Sequence, residues 1–70
     1  MSANNQLILL ERKKKFLAYD VCVEDTRPYD EQIKGLKPEF EAHTLYGAIA
    51  LAQKYCLENE VEYNYLFVQL

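Results

Sequence analysis

One segment of the chain has the periodicity of an amphipathic helix, and it constrains the possible fold more than any other feature. Its apolar residues recur at three- and four-residue spacing, which is typical of a helix that lies on a core. We expect this helix to run from about Leu45 to Leu57, with Thr44 as its N-cap and Asn59 as its stop. One helix can cover only one side of a sheet, so the pattern predicts a small two-layer fold. The apolar stripe consists of Leu45, Ala48, Ile49, Ala52 and Cys56.

The other apolar residues are arranged as strands. Phe16 to Glu24 alternates with a period of two, which indicates a strand with unequal faces. We predict a short strand at Glu39 to His43 and a closing strand at Val61 to Val68 on the same grounds. Leu7 to Leu10 is either a separate strand, with Arg12 to Lys14 as its turn, or an extension of the Phe16 strand. We favour the separate hairpin.

Residues 1–6 are polar and are expected to be frayed, and Asp25 to Pro38 is the longest irregular stretch. A short helical turn is expected at about Tyr29 to Ile33. The predicted fold class is α+β: a small two-layer single domain of residues 1–70, with one helix packed on a three- or four-stranded, mostly antiparallel sheet. The element order is β(β)-loop-β-α-β. The helix should leave the other sheet face open, but the pattern fixes neither the strand order nor the face that the helix covers.

Residue types argue against an enzyme. His43 is the only histidine and Ser2 the only serine, so a Ser-His-acid triad is excluded. Cys22 and Cys56 match neither a CxxC redox pair nor the spacing of a zinc site, and we expect both thiols to be buried. The two glycines are isolated, so no phosphate-binding loop is present. We therefore expect no catalytic site, no metal and no cofactor.

A basic run could bind nucleic acid. Its four cationic residues are followed by Phe16 and Tyr19, and charge combined with aromatic rings suits a single-stranded nucleic acid. The same run could also be a solvated turn or could protect an edge strand. Phe16 to Leu70 carries ten acidic and four basic residues, a net charge of −6 that repels phosphates, so nucleic acid is the alternative partner. The run consists of Arg12, Lys13, Lys14 and Lys15.

Acidic residues form the preferred candidate surface. Carboxylates on one side of a small sheet would steer a protein with a basic surface, with Tyr29 as an aromatic anchor. The alternative is that these charges only keep the protein soluble. The candidate partner-binding residues are Asp20, Glu24, Asp25, Tyr29, Asp30, Glu39 and Glu41.

The chain has six tyrosines, more than a core of this size can bury. Tyrosine is enriched at protein interfaces because it offers a large contact area. The tyrosines that the core cannot bury are therefore buried in a homodimer, presented to another protein, or placed around a small core with their hydroxyls in water.

The segment Glu39-Phe40-Glu41-Ala42-His43-Thr44-Leu45-Tyr46-Gly47-Ala48-Ile49-Ala50-Leu51-Ala52 resembles the strand and capped helix of small bacteriophage and mobile-element proteins, among them anti-CRISPR inhibitors. The resemblance covers about residues 39–58 and implies a stand-alone inhibitor that blocks a host protein by occupying its surface. Our leading hypothesis is thus a non-enzymatic protein-binding domain of the phage-inhibitor type. The alternatives are a small nucleic-acid-binding regulator and a self-assembling structural protein.

The N-terminal segment lacks the charged and apolar regions of a signal peptide. Leu7 to Leu10 is far shorter than a membrane span. We therefore expect a cytoplasmic protein without membrane contact, located in the host cytoplasm if it is phage-encoded.

Overall fold

Four strands form one mixed sheet with a main helix packed on it, in a computed structural model that describes residues 4–70. β1 and β2 form an antiparallel hairpin, β3 pairs antiparallel with β2, and β4 pairs parallel with β1. The strand order is β3-β2-β1-β4. The predicted α+β class and two-layer arrangement are confirmed. The elements are β1 (Asn5–Arg12), β2 (Lys15–Cys22), α1 (Tyr29–Gln32), β3 (Phe40–Ala42), α2 (Leu45–Glu58) and β4 (Tyr65–Phe67).

The β1–β2 hairpin confirms that Leu7 to Leu10 belongs to a strand of its own. Its turn is shorter than expected, because Arg12 already pairs with Lys15 and only Lys13 and Lys14 connect the strands. Both turn residues have positive φ, 53° and 65°. Two left-handed residues in a row give the turn a twist that matches the twist of the strands, although asparagine and glycine are the usual residues there.

Local sequence explains both ends of α2. The Thr44 hydroxyl accepts a hydrogen bond from the Gly47 amide at 3.0 Å, as expected for an N-cap. At the other end the backbone amide and the side-chain amide of Asn59 both donate to the Tyr55 carbonyl. The helix ends at Glu58, one residue beyond the predicted end.

The first core lies between α2 and the sheet. The helix contributes small buried side chains, and the sheet presents the small Ala18 beneath them, so the helix can lie close to the strands. Phe40, Tyr55, Val61 and Tyr65 surround this core. Its buried residues are Leu7, Leu9, Ala18, Ala52 and Cys56.

A second core lies on the opposite sheet face, so the expectation that this face stays open is wrong. The loop of residues 23–38 folds over this face and inserts Ile33, which is buried. The Gln32 side chain fastens the loop, because its amide donates to the carbonyls of Asp25 at 3.2 Å and Arg27 at 2.7 Å. The buried residues are Ile8, Leu10, Tyr19, Val21 and Ile33.

The ends of the chain differ most from the prediction. The closing strand covers only Tyr65 to Phe67, because Asn64 adopts positive φ and interrupts the extended backbone. At the other end of the chain, Asn5 and Gln6 belong to β1 and are not frayed. The Asn5 side chain accepts a hydrogen bond from the Glu62 amide at 3.0 Å. The first three residues of the predicted frayed segment lie outside the described residues.

Candidate functional site

Acidic side chains gather where β1 begins and β2 ends. Asn4 donates to the Glu24 carboxylate at 2.7 Å, and Asn5 donates to Asp20 at 3.3 Å. The loop that enters β4 reaches the same place, since the Glu62 amide donates to the Asn5 side chain. We call this region the acidic end; its carboxylates are Asp20, Glu24, Asp25, Glu60 and Glu62.

The cationic residues lie at the opposite end of the hairpin. We call Arg12, Lys13, Lys14 and Lys15 the basic tip; all four are exposed. β1 spans 8 residues, which places the basic tip about 23 Å from the acidic end. This separation exceeds the Debye length of about 10 Å at 0.1 M salt, so the two ends act as separate electrostatic fields.

Asp20 faces α2, and its carboxylate is already engaged within the fold. The Tyr55 hydroxyl donates to Asp20 Oδ2 at 2.9 Å. Burial, together with this hydrogen bond, raises the pKa of Tyr55 above its ordinary value. Burial also raises the pKa of the Cys56 thiol, with a smaller contribution from the charge of Asp20. The Asp20 side chain therefore helps to hold α2 against the sheet.

Asp25 forms an ion pair with Arg27 at the start of the loop. Arg27 Nη2 lies 2.6 Å from Asp25 Oδ2, and the Arg27 backbone amide donates to Oδ1 at 3.0 Å. These hydrogen bonds, the side-chain bond foremost, lower the pKa of Asp25 to about 2. The carboxylate is ionised at neutral pH, and Arg27 offsets its charge.

The remaining predicted residues lie in three places. Glu24 and Asp30 are exposed on the loop, and Tyr29 lies half-buried between them in sequence, packed against the second core. Glu39 lies beside Tyr55, whose pKa its charge helps to raise. Glu41 lies at the basic tip, where its carboxylate is 3.4 Å from Lys15 Nζ.

The seven predicted residues consequently do not share one sheet face. Strand pairing places Phe40 and Ala42 beside Ala18 and Phe16, on the α2 side, and turns Glu41 to the other side with Leu17. Four of the seven do come together on the loop. We call them the acidic loop: Glu24, Asp25, Tyr29 and Asp30.

A cleft of about 190 Å³ lies between this loop and the end of β2. Asp25, Arg27 and Tyr29 line one side, and Cys22 lies on the other. Cys22 is exposed, so the expectation that both thiols are buried holds only for Cys56. The Gln32 Oε1 atom is buried in the described structure without a hydrogen-bond partner.

The surface around β4 contains none of the predicted site residues. Phe67 contacts both Phe16 and Tyr65 edge to face, with ring centroids 6.3 and 6.2 Å apart. Leu66 and Phe67 each remain 43% exposed. The available signal was the run from Tyr63 to Leu70, which contains no charged residue.

Among residues 4–70, no group of three or more histidine, cysteine, aspartate or glutamate side chains is arranged to hold a metal ion. Neither helix in this part of the chain has the length and apolar character needed to cross a membrane.

The fold and these surfaces define a small α+β domain with separated charges and an apolar sheet edge. No protein-family model matches the chain, and no curated protein or solved structure matches it either.

Proposed function

We propose that this chain is a non-enzymatic protein-binding domain whose acidic loop occupies a basic surface of its partner. The observation that carries the proposal is the acidic loop itself, where exposed Glu24 and Asp30 flank a half-buried tyrosine. A loop that combines charge with an aromatic ring suits a partner with lysine or arginine side chains, because the charges steer the encounter and the ring adds contact area. Steric blocking of a host defence protein, as by a phage-type inhibitor, is the mode of action we propose.

The acidic loop is held in place before any partner binds. Ile33 anchors it in the second core, and the Gln32 amide bonds to two of its carbonyls. Because the loop is already ordered, binding would lose less conformational entropy than binding by a disordered segment. The arrangement therefore favours recognition by a rigid surface.

Within the acidic loop the residues have unequal roles. The charge of Asp25 is offset by Arg27 at 2.6 Å, so Asp25 mainly shapes the loop. Glu24 and Asp30 make no ion pair shorter than 4.0 Å among the described residues. We therefore expect these two carboxylates to make the main electrostatic contribution to binding.

The test is a pull-down of tagged protein from bacterial lysate, with and without nuclease, followed by mass spectrometry. We expect wild type to retain a stoichiometric protein after nuclease, and the double variant Glu24→Lys with Asp30→Lys to lose it. Glu11→Lys with Glu58→Lys is the matched control, since it makes the same charge change at exposed positions outside the loop. Retention of the same partner by the loop variant would refute the proposal.

One observation favours the nucleic-acid alternative. Phe16 follows the basic tip directly, and its ring lies against Phe67, so an aromatic pair adjoins three cations that have no carboxylate within 4.0 Å among the described residues. A labelled single-stranded oligonucleotide should then bind with an affinity that falls steeply as salt is raised. Glutamine at Lys13 and Lys14 should weaken that binding, and partners lost after nuclease would favour this alternative.

A further inference from the structure

We infer that two copies of this chain pair through the outer edges of their β4 strands, in antiparallel orientation, to form one continuous eight-stranded sheet. This interaction is separate from the acidic loop and does not depend on the proposed function. The partner at the β4 edge is a second copy of the chain. The two sheet edges, the exposed apolar residues and the charge distribution each bear on this inference.

Both edge strands have three residues, but the two edges differ in charged side chains and proline. Soluble proteins keep edge strands from pairing with short length, charged side chains and proline. The β3 edge has such devices, since Pro38 and Glu39 precede the strand and Glu41 lies within it. The β4 edge has no charged side chain from Tyr63 to Leu70. Within residues 4–70 no strand pairs with its outer side.

Apolar side chains remain exposed next to this edge. Leu66 and Phe67 are each 43% exposed on β4. Tyr63 and Leu70, which flank β4 in sequence, are 49% and 56% exposed. Aromatic and apolar side chains of this kind are enriched in the centres of protein interfaces.

The charge distribution indicates both that a second copy of the chain pairs with the β4 edge and in which direction its strand runs. β4 runs parallel to β1, from the acidic end toward the basic tip. Antiparallel pairing of two β4 strands therefore places the acidic end of each copy beside the basic tip of the other, and the two-fold axis makes this contact twice. Parallel pairing would bring like charges together.

The residues that would meet can be named. Glu60 and Glu62 lie in the loop that enters β4, on the β4 side of the acidic end. Arg12 and Lys13 of the second copy would lie about two strand spacings away, roughly 10 Å, within reach of long side chains. The acidic loop follows β2, which β1 separates from β4 in the sheet, so Glu60 and Glu62 are the carboxylates of the acidic end that lie nearest this contact.

The experiment is sedimentation velocity on the full chain over a range of concentrations, at low and high salt. We expect a monomer–dimer equilibrium that weakens as salt rises. Glu60→Lys with Glu62→Lys should raise the dissociation constant about tenfold or more, because like charges then face each other. Asp30→Lys with Glu31→Lys is the matched control, because both exposed residues lie outside the acidic end, and it should leave the equilibrium unchanged. The pull-down of the Glu24→Lys with Asp30→Lys variant tests the proposed function separately.

Charge exchange gives the sharpest test. Adding Arg12→Glu with Lys13→Glu to the Glu60→Lys and Glu62→Lys variant should restore dimerisation, because both partners of the contact are then reversed. Failure of this rescue, with every variant folded by circular dichroism, would overturn the orientation we infer.

A single substitution tests the edge itself. Leu66→Lys adds a charge at a half-exposed position of β4, so we expect it to fold and to remain monomeric. Wild-type dimerisation by this folded variant would overturn edge pairing. A wild-type chain that stays monomeric at every concentration, or that forms assemblies larger than dimers, would overturn the inference as a whole.

Discussion

Tyr55 joins the helix to the sheet with both parts of its side chain. Its hydroxyl donates to Asp20 at 2.9 Å, and its ring lies 6.3 Å from that of Phe40. Tyr55→Phe keeps the ring and removes the hydroxyl, leaving Asp20 with weaker bonds from Asn5 at 3.3 and 3.5 Å. We expect the free energy of unfolding to fall by about 1 kcal/mol at pH 7, measured by urea denaturation.

The raised pKa of Tyr55 predicts that the stability of the fold depends on pH. The pKa of Tyr55 is raised in the folded state above the unfolded value of about 10. Its stabilising contribution is therefore complete below about pH 10 and declines as the pH rises beyond it, because the unfolded chain ionises first. The stability difference between wild type and Tyr55→Phe should shrink above about pH 10. Tyr46→Phe, on an exposed ring, is the control, and a difference that does not change with pH would contradict the prediction.

At the scale of elements, the β1–β2 hairpin is stable despite its turn residues. Lys13 and Lys14 both adopt left-handed backbone angles, which cost roughly 1–2 kcal/mol for each residue with a Cβ atom. Lys13→Asn with Lys14→Gly provides the residues that this two-residue turn favours. We expect the free energy of unfolding to rise by about 1 kcal/mol or more, measured by thermal and urea denaturation.

The control for this prediction is Lys13→Gln with Lys14→Gln. It removes the same two charges and keeps the unfavourable backbone, so its stability should stay within about 0.5 kcal/mol of wild type. If both variants were equally stabilised, charge repulsion at the basic tip would be the cause, and the backbone explanation would fail. The asparagine–glycine variant also leaves β4 unchanged.

At the scale of the whole molecule, both sheet faces are buried, one by α2 and the other by the loop. Ile33 is the buried loop residue of the second core and is 5% exposed. Ile33→Ala should lower the free energy of unfolding by about 2–5 kcal/mol. Small domains have roughly 5–15 kcal/mol in total, so this variant should be marginally stable.

The measurement is urea denaturation followed by both circular dichroism at the helix band and tyrosine fluorescence. Because β1 belongs to both cores, we expect the two signals to change together. Leu36→Ala, at an exposed position of the same loop, should change stability by no more than about 0.5 kcal/mol. If the fluorescence signal changed at a lower urea concentration than the circular dichroism signal, the loop would unfold independently of the rest of the domain.

Part of the candidate site was predictable and part was not. Glu24, Asp25, Tyr29 and Asp30 lie together because they are close in sequence, so their grouping follows from the chain itself. Asp20 and Glu41 were assigned to the same surface from the alternation of their strands. Pairing between β2 and β3 instead places Phe40 beside Ala18 and Glu41 beside Leu17, which turns Glu41 away from Asp20.

The sequence by itself determined the elements whose causes are local. The α2 helix, its Thr44 cap and its Asn59 stop follow from neighbouring residues. The sequence left open whether Leu7 to Leu10 is a separate strand or an extension of the next one, and the pairing of β1 with β2 decided it. The tertiary structure decided which face of the sheet α2 covers, where the loop packs and how the charges separate. Both faces of β1 are apolar. Alternation assigns side chains to two faces but does not show which face packs against α2. Contacts between residues distant in sequence, such as Ala18 beneath α2 and Ile33 against Tyr19, made that choice.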